Sequence, residues 1–296
     1  MQLMPEDREA ISGRLVIASV SGGKDSSALS LWLTEQGIEH ERVFADTGWE
    51  ADATYEYLRG PLTDALGPIV EVSSGHTFES LAIDKGMFPR GNAKWCTDAL
   101  KMEPLIAYMS ERASTVGPVI SANGVRAGES VKRSQLTEWD GFARPGIEIP
   151  IWRPLLRWSE DDVIAIHRRH GLAPNPLYLA GANRVGCWPC INSRKSEWRL
   201  IADTDPNRIR RVAELERRVG EVAEARADES GEPLRIAPSF FVSSIKGEPR
   251  NLPVDRVVAW SRTSRGGRQF DLLGPDPNEG CVRWGMCEHP TDAAAE

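Results

Sequence analysis

Residues 14–31 read RLVIASVSGGKDSSALSL. Leu15, Val16, Ile17, Ala18 and Val20 form a short apolar run rich in β-branched residues, the pattern of a strand buried on both faces. The run stops at Ser21-Gly22-Gly23-Lys24-Asp25-Ser26-Ser27, and a helical pattern follows with Ala28, Leu29, Leu31, Trp32 and Leu33. Glycines let the backbone turn tightly and approach a ligand closely. The first amides of a helix have no intrahelical partner, and with the helix dipole they make an anion site. Lys24 adds a point charge suited to phosphate, and Asp25 is placed to hold Mg²⁺ beside it. The loop is not a Walker loop, which has four residues between its glycines and Ser or Thr after the lysine; here Asp25 follows Lys24.

The flanking chain repeats the alternation of strand and helix. Glu41–Ala45 reads as a second strand ending at Asp46-Thr47-Gly48-Trp49-Glu50, and an acidic residue there lies at the edge of an α/β sheet where nucleotides bind. A helix is predicted from about Ala53 to Arg59. Pro68–Val72 and Val116–Ala122 read as the third and fourth strands. Between them Thr97 is positioned to cap a helix reaching about Arg112. The fourth strand runs into Gly124, Arg126, Ser130 and Arg133, residue types that suit phosphate recognition. Ile147–Leu156, broken by two prolines, reads as irregular. Ser159 starts a helix ending at Gly171, with His167 and His170 on a solvated face among Arg168 and Arg169. Beyond Cys187-Trp188-Pro189-Cys190 the pattern predicts a helix over Ser193–Ala202. A long helix follows from Asp205 to about Ala227, with an apolar stripe of Ile209, Val212, Leu215, Val219 and Val222. Asp228–Pro233 reads as a turn and Pro253–Ser261 as a short helix. The Arg262, Arg265 and Arg268 cluster reads as a solvated loop. The fold class expected is α/β: a Rossmann-like parallel sheet flanked by helices, with a helical and irregular C-terminal region.

The 296 residues, 41% hydrophobic and 27% charged, are enough for a full core. A net charge of −7 argues against a broad nucleic-acid footprint but not against a local basic patch. No apolar run approaches the roughly 20 residues of a membrane span, and residues 1–14 lack a signal-peptide core, so a cytoplasmic protein is expected. In that compartment the five cysteines (96, 187, 190, 281 and 287) point to metal binding or catalysis rather than disulfides.

SGGKDSS resembles the PP-loop of the ATP pyrophosphatase (adenine nucleotide α-hydrolase) superfamily. The DTG at Asp46-Thr47-Gly48 and the G-x-R-x-x-x-S-x-x-R at Gly124, Arg126, Ser130 and Arg133 are similar to segments of the phosphoadenosine phosphosulfate (PAPS) reductase family, as is PNPLY…RVGCWPC. The full loop, with WCT…LK at Trp95–Lys101 and GCWPC, is closest in pattern to the iron–sulfur ATP pyrophosphatases of DNA phosphorothioation. The resemblance implies a nucleotide-binding domain over residues 1–192 and a region over 193–296 that completes a cysteine site. It implies ATP held by Ser21, Gly22, Gly23, Lys24, Asp25, Ser26, Asp46, Thr47, Gly124, Arg126, Ser130 and Arg133. It also implies a [4Fe–4S] cluster on Cys96, Cys187 and Cys190, with zinc as the alternative for the same thiolates. Related reductases have an adjacent Cys-Cys pair where this chain has Trp95-Cys96, so the fourth ligand is Cys281 or Cys287, the alternative being a three-cysteine cluster with an open iron. Lys24, Asp25, Lys101 and Cys287 are then the catalytic candidates. The activity implied is ATP cleavage between the α and β phosphates, adenylating an acceptor for sulfur transfer. A sulfonucleotide reductase and a non-catalytic partner subunit are the alternatives. The reductases' C-terminal ECGLH is matched here only by Met286-Cys287-Glu288-His289, in another order. The partners expected are the nucleotide, a sulfur donor of the cysteine desulfurase type, a nucleic-acid or small-molecule acceptor and a second copy of the chain.

Overall fold

The structure is a computed structural model. It describes residues 2–91, 93–144, 146–231, 233–234, 238–242, 250–263 and Trp284. The first part of the chain contains α1 (Pro5–Ile11), β1 (Leu15–Ser19), α2 (Lys24–Glu35), β2 (His40–Ala45), α3 (Asp52–Tyr57), α4 (Thr63–Leu66), β3 (Ile69–Val72) and α5 (Phe78–Lys85). The second contains α6 (Trp95–Thr97), α7 (Glu103–Val116), β4 (Val119–Asn123), β5 (Trp139–Arg144), β6 (Ile147–Trp152), α8 (Glu160–Arg169) and α9 (Pro176–Leu179). Then follow α10 (Lys195–Thr204), α11 (Pro206–Ser230), β7 (Phe241–Val242), β8 (Asn251–Leu252) and α12 (Val254–Ser261).

The main sheet has six strands in the order β3-β2-β1-β4-β6-β5, parallel except for β5 on the edge. β1 is central, registered with β2 at Ile17↔Glu41 and with β4 at Ile17↔Ser121. Its side chains alternate as a doubly buried strand requires. Val16, Ala18 and Val20 pack with Leu29, Trp32 and Leu33 of α2 and Val163 and Ile166 of α8. Ile17 packs on the other face with Met109 of α7. Because β1 has a neighbour on each side, its C-terminal end opens into the loop at Ser21 near the middle of the sheet, beside the ends of β2 and β4.

Residues past 193 share a core with the α/β layer. Trp49, Phe78, Phe88 and Leu100 pack with Trp198, Phe240, Val212, Leu215, Val219, Val254 and Val257. The expected stripe on α11 is thus its packing face against α5, helped by Arg211–Glu79 at 2.6 Å and Arg226 donating to Lys85 O at 2.6 Å.

Several expectations are corrected. Ile147–Leu156 begins as strand β6, hairpinned with β5, rather than as an irregular stretch. Its ladder to β4 is registered at Ile151 and Trp152, beyond Pro150, so the proline's missing N–H does not interrupt that ladder. Thr97 caps nothing: the helix starts at Trp95 and passes through a wider turn at Asp98–Met102 into α7. α11 runs on to Ser230, where Gly231 at φ 71° ends it, so the turn expected at Asp228 comes later. His167 is not on a solvated face. It is 1% exposed, with Nδ1 2.7 Å from Val163 O, whereas His170 is near the surface and pairs with Glu35. Arg262 pairs with Asp203 at 2.9 Å; Arg265 and Arg268 lie outside the described residues.

Candidate functional site

The predicted loop is built as a cradle. Gly22 sits at φ 71° against Thr54, where a Cβ would lie 3.0 Å from Thr54 Cγ2. Ser21 N donates to Ser26 Oγ at 3.1 Å, and Ser26 Oγ and Ser27 Oγ donate to Gly23 O at 2.9 and 3.0 Å. These bonds close the turn with side chains just where helical partners run out. From below, Asn175 Nδ2 donates to Gly22 O at 3.3 Å and Lys24 N donates to the Tyr178 hydroxyl at 3.2 Å. The β4 end comes so close that a Cβ on Gly124 would lie 2.4 Å from Asp25 O.

Charge at the loop is paired. Arg126 donates to Asp25, which joins the first and fourth strand ends through one ion pair. The Lys24 ammonium is 3.2 Å from Glu160 Oε1, 4.0 Å from Asp25 Oδ2 and 4.8 Å from the centre of the Tyr178 ring. Lys24 and Arg126 are buried, at 8% and 6% exposure. Arg133 N donates to Ser130 Oγ at 3.2 Å, and the Arg133 guanidinium pairs with Glu129, which also accepts from Arg126 N at 2.9 Å.

The β2 end carries a second network. Asp46 Oδ1 accepts from Gly48 N at 2.8 Å and from the Tyr55 hydroxyl at 2.6 Å. Thr47 Oγ1 donates to Glu50, 2.9 and 2.8 Å from its two oxygens, and Tyr55 reaches Glu50 Oε2 at 3.1 Å. Glu50 is 2% exposed, a buried carboxylate compensated by donors. Its Oε1 is 3.8 Å from Cys187 Sγ, and Thr47 Oγ1 is 3.9 Å from the same sulfur. The Cys187 loop is pinned here because Trp188 N donates to Trp49 O and Trp49 Nε1 donates to Pro189 O, both at 2.9 Å.

Three cysteines from two places in the sequence, Cys96 and the Cys187–Cys190 segment, gather at this network. Burial pushes the Cys187 thiol up to about 11, opposed by the charge of Lys101. Burial also raises Cys96, with Cys190 close enough to add to the rise. Lys101 is held above its ordinary value first by Cys187, then by Glu50 and Cys190 after burial is offset. Burial works against the charge of Arg184, and Cys190 beside it helps to hold the guanidinium above its ordinary value. Cations facing thiols favour the thiolate, the form that ligates metals and attacks as a nucleophile. Among the described residues no group of three His, Cys, Asp or Glu side chains stands in a metal-holding arrangement. Cys281 and Cys287 lie outside the described residues. Among the described residues no helix is long and apolar enough to cross a membrane.

Lys24, Asp25, Gly124 and Arg126 therefore meet at one point, and Asp46, Thr47, Lys101, Cys96, Cys187 and Cys190 meet at another. Sequence reasoning missed Glu50, Tyr55, Glu160, Asn175 and Tyr178. The signal for Glu50 was an acid between Trp49 and Ala51, two apolar residues that the core buries.

Residues 15–193 match the model of the phosphoadenosine phosphosulfate reductase domain. The chain is 32% identical to an uncharacterized 37.8 kDa protein in the gpa 5′ region of Escherichia phage 186, over 92% of this chain and 96% of that one. It is 28% identical to an adenosine 5′-phosphosulfate reductase of Deinococcus radiodurans over 54% of this chain and 60% of the reductase. Among solved structures, a phosphoadenylyl-sulfate reductase from Candida auris superposes with TM-score 0.46 at 17% identity, covering 64% of this chain and 90% of that one.

Proposed function

Because this chain belongs to the phosphoadenosine phosphosulfate reductase domain family, we propose that it acts on an adenine nucleotide in sulfur chemistry, and specifically that it is an ATP pyrophosphatase that adenylates an acceptor for sulfur transfer. The observation that carries this reading is the whole Ser21–Ser26 loop, with Lys24 and Asp25 intact and Arg126 beside Asp25, at the edge of the sheet where nucleotides bind. The loop amides, Lys24 and Arg126 hold the β and γ phosphates and stabilise the charge that builds as pyrophosphate leaves. Asp25 would hold Mg²⁺, which would supply positive charge to the polyphosphate. Asp46 and Thr47 face the nucleoside side. An acceptor oxygen attacks the α-phosphorus, its bond to phosphorus forms as the bridging oxygen departs with pyrophosphate, and AMP is later displaced by sulfur.

The cysteine point is the sulfur side of the same reaction. Cys96, Cys187 and Cys190, with a fourth thiolate from Cys281 or Cys287, would hold an iron–sulfur cluster, or zinc in the alternative. A bound cluster supplies electron or sulfide chemistry there. Lys101 and Arg184 favour the thiolates electrostatically. The remaining C-terminal thiol, Cys287 first, is the candidate sulfur carrier. Residues 193–296 complete that site, a sulfur donor of the desulfurase type feeds it, and the acceptor is a nucleic acid or a small molecule. The setting is the cytoplasm, and the chain works as a homodimer.

A second reading, sulfonucleotide reduction, is favoured by the relatives named adenosine 5′-phosphosulfate reductases. In it Cys287 attacks the sulfur of the bound sulfonucleotide. Two assays on the purified protein separate the readings. Pyrophosphate released from ATP with Mg²⁺ supports the first, and sulfite released from a sulfonucleotide with a thiol donor establishes the second. Iron and acid-labile sulfide analysis, with absorbance near 400 nm, tests the cluster independently of turnover.

A further inference from the structure

Among the described residues Glu160 is the nearest carboxylate to the loop lysine, 3.2 Å from Lys24 Nζ, against 4.0 Å for Asp25. Asp25 is engaged elsewhere, by Arg126. Glu160 is the first residue of α8, but the helix cap does not depend on it. Ser159 Oγ accepts from Asp162 N at 3.1 Å, and Asp162 Oδ2 accepts from Ser159 N at 2.8 Å and from its hydroxyl at 2.6 Å. Asp161 and Asp162 also supply negative charge to the first turn. The cap and dipole are thus served without Glu160, and its carboxylate reaches back across to α2, the helix on which α8 packs. Lys24 is 8% exposed, while Glu160 is 29% exposed and sits on the solvent side of the pair.

We propose that Glu160 is an internal competitor for Lys24, so that an anionic ligand must displace its carboxylate to use the ammonium. The proposal rests on the nucleotide reading of the loop and adds a selectivity to it. A ligand with one phosphate offers too little charge near Lys24 to displace Glu160, whereas a polyphosphate replaces the carboxylate with several anionic oxygens. The loop then discriminates by the number of phosphates, beyond any contact to the base. Displacement is feasible because the Glu160 side of the pair is open to solvent, and a multiply charged ligand sets several anionic oxygens near Lys24 in place of one carboxylate.

The test is equilibrium binding of ATP, AMP and inorganic tripolyphosphate to the wild-type chain and to Glu160→Gln, with Glu160→Asp as a second variant that keeps the charge on a shorter arm. Loss of a competitor worth about 1 kcal/mol predicts roughly fivefold tighter ATP and tripolyphosphate binding by Glu160→Gln. The gain shrinks as salt rises, AMP affinity changes less, and Glu160→Asp lies between. Equal or weaker tripolyphosphate binding by Glu160→Gln overturns the competition. Tighter tripolyphosphate binding with no ATP binding by either protein upholds the competition and overturns the nucleotide reading instead.

Discussion

Gly124→Ala is the substitution by which the loop geometry is most sharply tested. A Cβ at this position would stand 2.4 Å from Asp25 O, 2.8 Å from Asp25 C and 3.0 Å from Ser26 Cα. All three are backbone atoms, so no side chain can swing aside. The shortest contact falls short of ordinary van der Waals separation by about 1 Å. Either the β4 end or the start of α2 must move by that much. Overpacking of this kind costs about 1–3 kcal/mol. At roughly 2 °C per kcal/mol for a chain of this size, the melting temperature should fall by about 2–6 °C. Because the displaced atoms belong to Asp25 and Ser26, nucleotide affinity should fall more than stability alone implies. Gly128→Ala is the control: nothing lies within 4 Å of its added Cβ, and it should leave both readings unchanged. Thermal denaturation and ATP titration of the two variants are sufficient. A Gly124→Ala protein with the melting temperature and affinity of the wild type would refute the close approach and the loop geometry built on it.

His40 should control part of the acid limb of stability. Burial holds it down to about 4, opposed by the hydrogen bond to Ile38 O and reinforced by the charge of Arg42. A neutral folded state gives stability that is complete above the ordinary value near 6.5 and is lost as pH falls toward 4. Between pH 7.5 and 5 the loss should be about 2 kcal/mol, and His40→Gln should flatten it in denaturant titrations. An unchanged slope would contradict the burial. Tyr55→Phe removes the hydroxyl that Asp46 and Glu50 accept from; it should cost about 1–3 kcal/mol of stability, read as a lowered denaturant midpoint. No change would mean that water substitutes for the hydroxyl.

Much of the fold was legible because its central elements are locally determined. β1, β2, β3 and β4 are short apolar runs, and the glycine–serine loop announces the turn into α2. The β5–β6 hairpin was hidden because Pro150 reads as a strand breaker, and only the three-dimensional pairing shows that the β4 ladder begins after it. His167 was misread because its arginine neighbours drew attention from spacing. It lies four residues after Val163 and three after Ile164, both buried, which places it on the apolar stripe. In the site, Lys24, Asp25 and Arg126 were found by charge type and position after strands. Glu50 and Glu160 were not, because their roles come from contacts across the fold, with Cys187 in one case and Lys24 in the other.

The central claim is that the loop spends an intact triphosphate by cleaving it between the α and β phosphates. The direct measurement is incubation of the protein with γ-labelled ATP, Mg²⁺ and candidate acceptors, followed by separation of the labelled products. Cleavage between the α and β phosphates puts the label in pyrophosphate, with release lost in Lys24→Ala. Label in orthophosphate, or no release alongside thiol-dependent sulfite formation from a sulfonucleotide, would contradict it.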